Sequence, residues 1–215
     1  MIGVIVFPGS NCELDVRWAL RSLGAEAELV WHRDTDLAGI DAVVLPGGFA
    51  HGDYLRTGAI ARFSPVMGPV ARLAEEGRPV VGICNGFQIL CEARLLPGAL
   101  IANRDLQFIC RPVEVEVTDN DNVLTAGIEV GTVLTIPLNS YEGQYTDPSG
   151  TARIVGRYVE DVNGSQDRAA AVANAAGNVV GIMPHPERSS EEVLGSADGR
   201  RMLESLVAAA TRVPA

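Results

Sequence analysis

The sequence predicts an α/β fold, a single domain on a mostly parallel central sheet with helices on both faces and an antiparallel elaboration in its second half. Two observations carry this. Up to about residue 94, short runs of Val, Ile and Leu alternate with helix-like segments, and such crossovers leave neighbouring strands parallel. From residue 106 the character changes. Val113-Glu114-Val115-Glu116-Val117 has a strict two-residue period, the mark of a strand with one solvated face. With 47% hydrophobic and 20% charged residues in 215, the chain can bury one sizeable core, which excludes the disordered and coiled-coil classes.

The elements follow in order. Residues 2–7 form an apolar strand stopped by Pro8-Gly9. Ser10-x-x-Glu13 has capping-box spacing, and Val16, Leu20 and Leu23 continue at helical intervals to Gly24. Residues 26–32 are a second strand, and Ala42-Val43-Val44-Leu45 is a third that ends at Pro46-Gly47-Gly48. Ser64-Pro65 offers an N-cap and an N1 proline for a helix closing near Gly77. A fourth strand over 78–83 runs straight into a helix from about Asn85 to Arg94. Further strands are expected over 106–118 and near 132–136, 152–159, 169–174 and 178–183, with a turn at Asp161-Val162-Asn163-Gly164 and a last helix over 198–211. No repeat, low-complexity segment or compositional break divides residues 1–215, so one flavodoxin-like domain is expected.

Seventeen Lys+Arg against 27 Asp+Glu give a net charge of −10, which argues against nucleic-acid and anionic-membrane binding. Cys12, Cys84, Cys91 and Cys110 show no C-x-x-C pair and no Cys/His spacing of a zinc site, so no metal is expected. Free thiols, an N-terminus without a basic signal-like region, and no apolar run of bilayer length lead to the expectation of a soluble cytoplasmic protein.

One segment stands out. In Gly82-Ile83-Cys84-Asn85-Gly86 a cysteine sits at a strand-to-helix junction with a glycine two residues to either side. This is the spacing of a nucleophile elbow, with sulfur in place of the serine oxygen. The turn would lift the thiol above the carboxyl edge of the sheet, at a helix N-terminus whose dipole favours an anion. For Cys12, Cys91 and Cys110 the expected role is that of a small interior thiol.

A thiol nucleophile needs a base, and the chain has three histidines. His32 reads as a surface or capping residue beside Arg33-Asp34, and His51 lies in a loop with nothing nearby to orient it. His185, in Met183-Pro184-His185-Pro186-Glu187, follows a buried strand, and Pro186 keeps it extended, so His185 and Glu187 share a face. Cys84, His185 and Glu187 therefore form a candidate nucleophile–base–orienter set. Gly47-Gly48 at a strand end, and the N–H of Asn85, are candidate donors to an oxyanion. Gln88, one helical turn beyond Cys84, either places its amide in the pocket or is a solvated helix residue.

These residues resemble the class I, triad-type glutamine amidotransferases, and the resemblance covers essentially the whole chain. It is carried by Phe7-Pro8-Gly9-Ser10-Asn11-Cys12, Leu45-Pro46-Gly47-Gly48-Phe49, Gly52-Asp53-Tyr54-Leu55-Arg56, the Cys84 elbow through Leu90, Asn103-Arg104 with Phe108-Ile109-Cys110-Arg111, and Met183 through Arg188. The resemblance implies that Cys84 is the nucleophile, His185 the base and Glu187 its orienter. It further implies that Gly48 and neighbouring amides hold the oxyanion, and that Gly47, Phe49 and Gln88 bind glutamine. The implied activity is hydrolysis of glutamine through a cysteinyl thioester. The ammonia passes to an ATP-dependent synthetase subunit that aminates formylglycinamide ribonucleotide in purine synthesis, alongside a small third subunit. ATP and Mg are then expected only in that partner, and this chain has no Walker-type loop. His51 stands where relatives usually carry Tyr, and Ser140 where they often have His. A cysteine peptidase or thiol hydrolase on a similar fold, and a catalytically silent partner-binding module, are the alternative readings.

Overall fold

The structure is a computed structural model that describes residues 1–212. In chain order it contains β1 (Ile2–Val6), α1 (Glu13–Ser22), β2 (Ala27–Trp31), β3 (Ala42–Leu45), α2 (Met67–Glu75), β4 (Val80–Ile83), α3 (Asn85–Glu92), β5 (Ala99–Ile101), β6 (Ile109–Val117), β7 (Val133–Ser140), β8 (Gln144–Thr146), β9 (Arg153–Tyr158), β10 (Ala169–Ala173), β11 (Val179–Ile182) and α4 (Asp198–Thr211). Nine strands form one sheet in the order β2-β1-β3-β4-β11-β10-β9-β6-β7, and β5 pairs with β8 in a separate ribbon. The strands from β2 to β11 run parallel. From β11 outward the pairings are antiparallel. Both parts of the expected architecture are thus present, joined edge to edge.

Every residue of β3, β4, β10 and β11 is buried, which requires cover on both faces of the sheet centre. α1 packs on β1, β2 and α4, while α3 lies on β3, β4 and β11. In β6 the alternation holds: Val113, Val115 and Val117 are buried, and Glu114 and Glu116 are not.

Two helix starts differ from expectation. The Ser10 hydroxyl accepts the Phe7 N–H at 3.0 Å, because Ser10 is held in a bridge to Gly48, and Cys12 precedes α1 without a side-chain cap. Ser64 likewise caps nothing with its side chain. Its hydroxyl lies between His32 Nδ1 (3.2 Å) and His51 Nε2 (3.3 Å), and α2 begins later, at Met67. β7 runs on through Pro137, which an edge strand tolerates. β5 and β8, three residues each, are too short to show a period.

Packing is very close where α3 meets the sheet. Gly82 and Gly181 are register partners on β4 and β11. A Cβ on Gly181 would stand 2.0 Å from the Phe87 ring, and one on Gly82 would stand 2.6 Å from the Gly86 backbone. A Cβ on Gly86 would stand 1.9 Å from the Leu45 carbonyl oxygen. These glycines let the first turn of α3 rest directly on three strands. Gly181→Ala is therefore expected to lower stability by about 1–3 kcal/mol through overpacking against Phe87, read as a lower denaturation midpoint in urea.

Candidate active site

Cys84 joins β4 to α3 with φ 50° and ψ −105°, a strained backbone for a residue that carries a side chain. Its N–H donates to the Ile182 carbonyl at 2.7 Å, and its own carbonyl accepts from Phe87 and Gln88. The thiol is 8% exposed and donates to the Asn139 carbonyl of β7 at 3.6 Å.

β11 ends at Ile182, and three residues later His185 is fixed by its N–H bond to the Pro137 carbonyl at 2.8 Å. His185 and Glu187 are each 2% exposed, and Nδ1 lies 2.7 Å from Oε1. With the Nδ1 proton held there, Nε2 is the nitrogen left for chemistry. It is buried with no hydrogen-bond partner among the described residues. Burial by itself pushes the His185 pKa down. The Glu187 carboxylate, aided by the Cys84 and Cys12 sulfurs, overrides it and holds the pKa well above the ordinary imidazole value of 6.5.

Cys84 and His185 face one cavity of about 430 Å³, shared with Gly48, Phe49, Gln88 and Glu142. Gly48 adopts φ 146° with Ser10 and Asn11 packed against it, so a Cβ there would come within 2.7 Å of Ser10 Cα. Gln88 is 5% exposed and donates to the Glu142 carbonyl at 2.6 Å, so it is no solvated helix residue. Phe49, 54% exposed, stands at the rim. Asn85 turns its side chain away from the cavity: Oδ1 accepts the Ala50 N–H, and Nδ2 donates to Asp53 and Gln88. Only its backbone N–H, at the unpaired first position of α3, is left for an oxyanion. Gly47 is not on the cavity wall but behind the imidazole, where a Cβ would meet His185 Cε1 at 2.7 Å. Ser140 lines the cavity and is buried.

Several residues read as bland take part, and others sit elsewhere than expected. Cys12 is buried but also lines the cavity, with Arg188 Nη2 donating to its sulfur at 3.2 Å. Cys110 is exposed rather than interior, because it faces out from β6, and it donates to Asn139 Oδ1 at 2.9 Å. His32 is buried at 7%, under Trp31 and His51, instead of at the surface. His51 is directed to Ser64. Asp53, next to the elbow through Asn85, was legible only as part of a loop motif. Burial, with Glu142 nearby and the Asn85 hydrogen bond opposing, pushes its carboxyl up to about 6.

A strained cysteine over the carboxyl edge of a parallel sheet faces the same cavity as a buried His–Glu pair, an arrangement suited to thiol chemistry. The chain belongs to the family of the CobB/CobQ-like glutamine amidotransferase domain, whose model matches residues 1–205. It is 53% identical to phosphoribosylformylglycinamidine synthase subunit PurQ of Rubrobacter xylanophilus, over 97% of this chain and 98% of that one. It is 48% identical to the subunit of the same name from Chlorobaculum parvum, over 96% and 89%. In structure it is similar to a chain of PurLQS from Thermotoga maritima, with TM-score 0.93 and 43% identity over 96% of this chain and 97% of that one. A putative GMP synthase subunit from Thermoplasma acidophilum shares the fold, with TM-score 0.69 and 16% identity over 98% and 94%.

Replacing Glu187 by Gln removes the charge that raises the His185 pKa. Glutamine turnover is expected to fall by about 10²–10⁴-fold, measured as glutamate release. The stability effect has a definite sign. A folded-state pKa above 6.5 gives stability that is complete below pH 6.5 and is lost as pH rises through the folded value. The wild-type denaturation midpoint should therefore decline more steeply above pH 6.5 than that of Glu187→Gln.

Proposed function

We propose that this chain is the glutaminase subunit of a phosphoribosylformylglycinamidine synthase, and that Cys84, His185 and Glu187 do its chemistry. The observation that supports it most is the buried His185–Glu187 pair at 2.7 Å, facing the same small cavity as the strained Cys84.

His185 Nε2 takes the thiol proton, and the sulfur adds to the side-chain carbonyl carbon of glutamine. The oxyanion is held by the Gly48 and Asn85 N–H groups, each such donor being worth about 10²–10³ in rate. The C–N bond then breaks, and the nitrogen leaves as ammonia with the proton returned from His185. The same imidazole next takes a proton from water, which adds to the γ-glutamyl thioester. Glutamate departs and the thiol is restored. Gln88, Gly47 and Phe49 belong to the walls and surroundings of the substrate site. The sequence adds nothing for phosphate chemistry, and thioester exchange needs no redox or phosphoryl group, so this chain requires no cofactor. ATP and Mg belong to the partner.

Ammonia in water near neutral pH is mostly protonated and non-nucleophilic, so it must pass to the synthetase subunit without release. There it aminates formylglycinamide ribonucleotide, with a small third subunit completing the complex. Four free cysteines suit a reducing, cytoplasmic setting. Among the described residues no helix is long and apolar enough to cross a membrane.

A glutamine-mimicking electrophile is expected to add one label, at Cys84, read by intact mass and peptide mapping. Labelling confined to Cys12, Cys91 or Cys110 refutes the assignment. Glutaminase turnover should also rise sharply when the cognate synthetase and its nucleotide are added, and a flat response refutes the partnership.

A further inference from the structure

The opening segment 7–12 plays no part in the chemistry so far, yet it ends inside the site. Cys12 is 2% exposed and lines the cavity. Its thiol donates to Asn11 Oδ1 at 3.1 Å, and Arg188 Nη2 donates to its sulfur at 3.2 Å. Arg188 Nε donates to Asp15 Oδ2 of α1 at 3.3 Å, so the residue directly after Glu187 is tied at two points to the start of α1. Polar atoms of Cys12, His185 and Glu187 lie within 4.8 Å of one another. Gly47 shows how tightly they meet. The Cys12 sulfur and His185 Cε1 converge on the place where a Gly47 Cβ would stand, at 3.1 and 2.7 Å.

We propose that Cys12 is a positioning residue for His185. Its sulfur braces the imidazole from the Gly47 side and anchors Arg188, which leaves the ring turned with Nδ1 on Glu187 and Nε2 toward Cys84. The opening motif and the His-Pro-Glu-Arg motif are then two halves of one clamp, closed across the first turn of α1. The charged and titratable groups facing the imidazole are Glu187 from its own segment, Cys84 from the β4–α3 junction and Cys12 from before α1. The contact with Cys12 adds to the rise in the His185 pKa, so its removal should lower that pKa.

This inference rests on the proposed roles of Cys84 and His185, and its test separates the two. Cys12→Ala and Cys12→Ser are prepared in the chain assembled with its synthetase. Turnover is measured with the pH dependence of Cys84 alkylation by iodoacetamide, mapped by peptide. In Cys12→Ala, kcat should fall by about 10- to 100-fold with KM for glutamine within about twofold. The alkylation midpoint should move to higher pH, because a less basic imidazole is a poorer counter-ion for the thiolate that iodoacetamide attacks. Cys12→Ser, which keeps a bonding atom on the same Cβ, should recover part of both, and it decides the matter alone if the alanine variant does not fold. Unchanged kcat in both variants overturns the proposal. So does a fall in kcat with the wild-type pH midpoint, since loosened packing alone would do that. If wild-type Cys84 itself shows no pH-dependent alkylation, the triad assignment fails instead.

Discussion

Everything at this site depends on the backbone of Cys84. A residue with a side chain at φ 50° and ψ −105° stores strain of about 1–3 kcal/mol, and it persists only where its surroundings over-determine it. Here the surroundings are specific. Gly86 rests under the Leu45 carbonyl, Gly82 under Gly86 and Gly181 under Phe87, so the start of α3 cannot lift off the sheet. The Cys84 N–H is tied to β11 as well. One set of close contacts therefore fixes the sulfur relative to the strand that delivers His185.

The second constraint is electrostatic. A buried carboxylate and a buried imidazole are each costly alone, and their 2.7 Å contact offsets much of that cost. It does not satisfy every atom. Glu187 Oε2 and His185 Nε2 have no hydrogen-bond partners among the described residues. The raised His185 pKa follows from the same arrangement.

The loop that carries Gly48 is held by polar side chains as well as by the core, in which Ala50 is buried. Ser64 stands between His51 and His32 on one side, and Asn85 joins Ala50 and Asp53 on the other. His51, Gly52, Asp53 and Leu55 all take positive φ, so the loop bends sharply back on itself.

The sequence alone determined the strands of the main sheet, most helix spans and the candidate triad, because each rests on local signals: apolar periodicity, glycines around Cys84, and two residues sharing a face across Pro186. Local signals also misled. Ser10 and Ser64 have the spacing of helix caps, yet their hydroxyls are taken by a turn and by two histidines from distant segments. Cys12, His32 and Cys110 could not be placed from their neighbours, since burial and hydrogen-bond partners at those positions come from chain up to 176 residues away. Only the tertiary structure decided that Gly47 lies behind the imidazole, that Asn85 turns its amide aside and that Cys12 reaches His185. Those are facts of convergence between segments, and a one-dimensional pattern carries no record of which segments converge.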